Sequence, residues 1–234
     1  MDAIKFEEWL QKGRGSFHPV VSFDPVTDHL LKLDFTQANK SLTQEIIEDT
    51  RKFSAHIFDL LAKTGARYGI GGYDEHRTVY SRSKVFDASQ PGEEPRRLHL
   101  GTDIWGKTGE PVFAPLDARV HSFAFNNHYG DYGATIILLH QIEGFSFHSL
   151  YGHLSLKDLE GLEEGQVIKA GKRLAHFGEP SENGHWPPHL HFQLIIDLEG
   201  KSGDYPGVCK FSEREKYLSN CPSPDLVLGM MKYV

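Results

Sequence analysis

The sequence predicts a mainly β protein: an antiparallel β-sheet domain preceded by a partly helical N-terminal extension. Three observations predict it. From about residue 97, apolar and polar residues alternate in short runs at 98–104, 111–124, 134–140, 145–151, 166–169, 173–177 and 189–197. That period of two marks strands with one covered face. Glycines such as Gly101, Gly109, Gly130, Gly144, Gly165 and Gly178 punctuate the runs where turns are needed. No helical pattern interrupts them beyond a turn near 155–160, which favours antiparallel connections over crossover helices.

The front of the chain reads differently. Ile4, Trp9 and Leu10 suit one face of a short helix over 4–12, with Gly13 as its stop. Ser41 and Gln44 form a capping-box pattern, and Ile46, Ile47, Thr50, Phe53, Ile57, Leu60 and Leu61 follow at helical spacing as far as Gly65. Gly69, Gly71 and Gly72 predict a turn, because no strand-to-helix context makes them a dinucleotide fingerprint. The expected organisation is an extension over 1–90, a β domain over 91–200 and a tail over 201–234 that packs back, with one short helix at 212–219.

Composition narrows the function classes. A net charge of −7 argues against a nucleic-acid partner, which needs a basic footprint. No run of about 18 apolar residues predicts a membrane span. The N-terminus, Met1-Asp2-Ala3-Ile4-Lys5, lacks the basic start and apolar stretch of a signal peptide. Cys209 and Cys221 are the only cysteines, so a reduced, cytoplasmic compartment is the expectation.

The chemistry gathers on 187–196. Leu190, Phe192, Leu194 and Ile196 alternate with His189, His191 and Gln193, so both imidazoles share one strand face about 6.6 Å apart. With 14 histidines in 234 residues, one His-x-His pair is expected by chance alone. His99 and Asp103 form a second half-site, roughly 13 Å apart in a straight strand. The run must therefore bend, and Gly101 permits it. His153 follows Gly152 at a strand end. His185 and His189 have the spacing of a helical zinc site, but Pro187 and Pro188 forbid the helix. His121, His128, His140, His148 and His176 are expected to be surface or half-buried, and His185, Trp186, Tyr132 and Asn126 to lie at the cleft rim.

Taken in order, His99/Asp103, Tyr151-Gly152-His153-Leu154-Ser155 and His189-Leu190-His191 resemble the lysostaphin-type (LytM-like) zinc metalloendopeptidases. Gly109-Glu110-Pro111-Val112-Phe113-Ala114, Gly133 to His140, and Gly165-Gln166-Val167-Ile168 are similar to strands and turns of that family. The resemblance covers about residues 97–197. It implies the lysostaphin/LytM fold type, a Zn2+ cofactor held by His99, Asp103 and His191, and His153 and His189 as the two non-ligand catalytic histidines. It also implies hydrolysis of peptide bonds, in peptide or peptidoglycan-derived substrates, and family members are usually exported. Three protein ligands leave a fourth zinc position for water, the mark of a catalytic site. The alternative is a non-catalytic zinc-containing binding or regulatory module on the same fold.

Overall fold

The structure is a computed structural model and describes residues 3–88 and 90–234; Met1 and Asp2, part of the N-terminal stretch read above, lie outside the described residues. Helix α1 (Ala3–Gly13) ends at the expected glycine, but its buried face is Phe6 and Leu10, while Ile4 is 73% exposed. Phe6 packs on Phe147, with ring centroids 4.7 Å apart. Strand β1 (Leu30–Lys32) follows.

The single helix expected from Ser41 is two: α2 (Gln44–Glu48) and α3 (Thr50–Thr64). The break is Asp49, whose carboxylate accepts from the amides of Arg51 at 2.8 Å and Lys52 at 3.1 Å. A side chain that satisfies those orphan donors starts a new helix in place of continuing the old one. Thr43, not Ser41, caps α2, and Gly65 closes α3 in the left-handed region. The expected turn at Gly69–Gly72 is also corrected. Tyr68–Gly71 is strand β2, buried throughout. A Cβ at Gly69 would lie 2.4 Å from a Leu33 methyl, so glycine there admits a close neighbour to a strand.

Strand β3 (Glu75–His76) and β4 (Leu98–His99) come next, then β5 (Thr102–Trp105), β6 (Pro111–Phe113), β7 (Ala118–Asn126), β8 (Gly133–Ile142) and β9 (Phe145–Leu154). After a 3-10 turn at Leu156–Leu159 follow β10 (Val167–Ile168), β11 (Arg173–His176), β12 (His189–Ile195) and β13 (Val208–Cys209). The tail ends in α4 (Arg214–Asn220) and α5 (Asp225–Leu228).

Eight strands make the main sheet, in the order β1-β2-β5-β12-β9-β8-β7-β10. Its neighbours run antiparallel except for β1 and β2, the parallel pair at the edge. One face carries Ile70, Ile104, Ile136, Leu138, Tyr151, Leu190, Phe192 and Leu194 into the main core. The opposite face of β12 is not wet, as an antiparallel strand's second face often is. Every residue of His189–Ile195 is buried. The cover comes partly from a three-stranded sheet, β13-β4-β3, that joins the front of the chain to its tail across β4. Among the described residues no helix is long and apolar enough to cross a membrane, and Cys209 and Cys221 are both free and buried.

His140 departs from expectation. It is fully buried, its Nδ1–H donating to the Asp117 carbonyl at 3.0 Å and its Nε2 paired with the Ser149 hydroxyl at 2.7 Å. Burial pushes its pKa down to about 4. Below pH 6.5 the unfolded chain takes a proton that the folded chain refuses until about pH 4, so stability is lost as pH falls through that window. We expect this histidine to cost on the order of 3 kcal/mol by pH 4. Urea unfolding of His140→Gln should show a shallower decline between pH 6.5 and 4 than the parent; parallel curves would contradict the assignment.

Candidate metal centre

The sheet register brings the two half-sites together. In the β5–β12 ladder His191 faces Asp103 and His189 faces Trp105. The chain breaks pairing at Leu100–Gly101, between β4 and β5, and so turns His99 back over Asp103. His99 Nε2 lies 2.9 Å from His191 Nδ1, and Asp103 Oδ1 lies 3.3 and 3.2 Å from those two nitrogens. Gly101 is needed for more than the bend. A Cβ there would sit 2.5 Å from His191 Cε1, so the imidazole occupies the space a side chain would fill.

Protons on the outer ring atoms decide what the inner ones are. His99 Nδ1 faces the Gly72 carbonyl at 2.8 Å and must donate to it. Its Nε2 is therefore a lone pair in the neutral ring. His191 Nε2 faces Gln193 Oε1 at 2.9 Å. That amide is oriented by its own Nε2, which donates to the Pro206 carbonyl at 3.2 Å and to Cys221 Sγ at 3.3 Å. His191 thus donates outward and turns an unprotonated Nδ1 inward. Two nitrogen lone pairs and a carboxylate oxygen converge with no proton between them, which suits a cation such as zinc. His99, Asp103 and His191 are the one such group of His, Cys, Asp or Glu side chains among the described residues, and all three are buried.

Arg77, which no sequence signal singled out, holds the carboxylate from behind. Its guanidinium donates to Asp103 Oδ2 and, at 2.7 Å, to Glu75 Oε2. Removing one partner of so buried a pair leaves an uncompensated charge. The run Gly71-Gly72 makes room for it: a Cβ on Gly72 would fall 1.6 Å from an Arg77 nitrogen, and Gly72 has φ +101°. Burial, followed by the neighbouring Arg77, lowers the His99 pKa to about 3, so the ring is neutral at pH 7.

His153 and His189 stand beside the triad, their rings 4.1 Å apart. His153 Nδ1 donates to the Asn183 carbonyl and His189 Nδ1 to that of Pro187, each at 2.8 Å. Both Nε2 atoms are therefore unprotonated in the neutral rings. Burial lowers His189 to about 4, and burial with the nearby His189 and His191 holds His153 well below its usual value. His153 adopts φ +62°, a strained conformation for a non-glycine residue that aims its ring. Trp105 stacks on His189 at 3.8 Å. Together these side chains line a cavity of about 200 Å³, with Tyr132 and Trp186 on its wall as the sequence suggested. Asn126 and His185 are not there. Asn126 donates to Thr135 and the Gly203 carbonyl, and the exposed His185 stacks on Tyr129.

Comparison with known proteins finds a matching family and several relatives. Residues 97–203 match the model of Peptidase family M23. L-Ala--D-Glu endopeptidase of Bacillus subtilis (strain 168) is 32% identical over 127 residues, 52% of this chain and 36% of that one. The chain thus spans about a third of that relative. Lipoprotein NlpD of Yersinia enterocolitica is 34% identical over 100 residues, 43% of this chain and 90% of that one. The catalytic domain of lysostaphin from Staphylococcus simulans, 22% identical, aligns with a TM-score of 0.40 over 68% of this chain and 96% of its own.

Replacing Gln193 by Leu removes the acceptor that fixes the His191 tautomer. Loss of such an outer partner costs roughly 10–100-fold in metal affinity. Chelator competition on Gln193→Leu should show that loss with the fold retained; unchanged affinity would refute the tautomer assignment.

Proposed function

The chain belongs to Peptidase family M23, and from that premise we propose that it is a zinc-dependent metalloendopeptidase that hydrolyses peptide bonds, with peptidoglycan-derived peptides among its substrates. The observation that carries this reading is the convergence of three unprotonated donor atoms from His99, Asp103 and His191 beside two further Nε2 lone pairs. Zinc bound there would act as a Lewis acid toward the scissile carbonyl and lower the pKa of a water to about 7.

The protein's own share is proton handling and orientation. His99, Asp103 and His191 are assigned as ligands, and His153 and His189 as the assisting pair. Either Nε2 can take a proton from the attacking water and return it to the leaving amine. A ring that has become imidazolium can also donate to the developing oxyanion. Burial disfavours the charged His189 ring, and the flat Trp105 face against it offsets part of that cost, which supports His189 as the residue that holds the proton. The carbonyls of Asn183 and Pro187 fix both tautomers, so no reorientation precedes the transfer.

The burial of all three ligand side chains gives some support to the second reading, a non-catalytic zinc-containing module. Two variants separate the possibilities. His191→Ala should lose zinc and activity together. His189→Ala should keep close to one equivalent of zinc while its kcat falls by roughly 10²–10⁴, the usual share of a general acid or base. Equal zinc retention in both variants would overturn the role assignment, and zinc-replete parent protein without turnover on any peptide would favour the second reading.

A further inference from the structure

The cavity that holds the triad is small and walled by segments from both ends of the chain. At about 200 Å³ it lies below the roughly 300 Å³ at which pockets for drug-sized ligands begin. His99, Asp103, His189 and His191 are only 1–2% exposed. One wall is the pair of 3-10 turns Val79–Arg82 and Lys84–Phe86, through Val79, Tyr80, Val85 and Phe86. The other is Pro206–Val208, continuous with β13.

Neither wall is built like a lid. Val79, Tyr80 and Phe86 belong to the same buried cluster as Phe35, Phe53, Trp105 and Trp186. The Thr78 amide donates to the Phe35 carbonyl at 2.9 Å, and Arg82 donates to Thr50 Oγ1 at 2.9 Å and the Tyr129 hydroxyl at 2.8 Å. On the other side the Leu100 amide donates to the Gly207 carbonyl at 2.9 Å, and Val208 pairs with His99 itself. A cover tied into the core by this many contacts opens only with local unfolding. Nor do the walls plug the metal position: among the described residues they add no His, Cys, Asp or Glu to the triad. The space left beside the histidines therefore defines what can be bound.

We infer that this site acts on short free peptides and excludes long or cross-linked chains, with Val79–Phe86 and Pro206–Val208 as its specificity-determining walls. An extended polymer strand must pass a cleft open at both ends, whereas a short peptide needs only an entrance. The cavity also suits charged peptide ends, because Arg96, Asp131 and Asp204 line it. Burial pushes both aspartates up from their ordinary value, and Asp204 adds to the rise at Asp131.

The inference rests on the peptidase reading, and the test separates the two. Calorimetry on the zinc-loaded full chain would compare a phosphinic dipeptide analogue with the same phosphinic unit at the centre of a decapeptide. The dipeptide should bind at least tenfold more tightly. Equal or tighter binding of the decapeptide would overturn the size restriction and leave the peptidase reading standing. Failure of both to bind zinc-loaded protein would overturn the peptidase reading and the restriction with it. Phe86→Ala, with its fold checked by circular dichroism, should narrow the gap at least threefold. Val85→Ala, at a partly buried wall position, serves the same purpose where Phe86→Ala does not fold. An unchanged ratio in the folded variant would remove the wall's role.

Discussion

Two imidazole lone pairs and a carboxylate oxygen held about 3 Å apart in a buried site repel one another, and the surrounding structure holds them there. Each is braced from outside. The Gly72 carbonyl holds His99, Gln193 holds His191, and Arg77 holds Asp103. The braces have braces: Gln193 is set by Pro206 and Cys221, and Arg77 by Glu75 and Tyr80. The result is a pre-organised cradle whose polar groups already point the way a bound cation requires, so binding one calls for little rearrangement.

Much of this was legible in the sequence, and the reason is locality. The alternation through 189–195 gave the strand, and the His-x-His spacing gave two rings on one face. The bend at Gly101 followed from the distance a straight strand imposes between His99 and Asp103. What was not legible was non-local. Arg77 lies far from Asp103 along the chain, and nothing around it in sequence announces a buried ion pair. The strand at Tyr68–Gly71 was hidden because glycines read as turn residues until Leu33 is seen pressing on Gly69. The split at Asp49 was hidden for the opposite reason. The apolar spacing runs on through it, and only the competition between a carboxylate and the helix for the same amides shows the break.

Burial was the second blind spot. A period of two says that the faces of a strand differ, not that one of them is wet. In β12 both are covered: the apolar face by the main core, the polar face by segments that arrive from residues 72–86 and 204–209. His140 illustrates the same limit. Its side chain is polar, yet a carbonyl and a hydroxyl on either side of the ring let it stay neutral in the core.

The three-stranded sheet β13-β4-β3 has a bearing on how the molecule comes to exist at all. His99 sits in its middle strand, zipped to Glu75 on one side and Val208 on the other. Pairings between residues so distant along the chain form slowly, because loop closure must precede them. The central hairpins β7–β8 and β8–β9 join neighbours and carry none of the three donor residues. A growing chain can therefore assemble most of its framework while His99 still lacks its outer strand. The donor set acquires its final geometry only as β13 docks on β4, so completion of the cradle reports that segments far apart along the chain have come together.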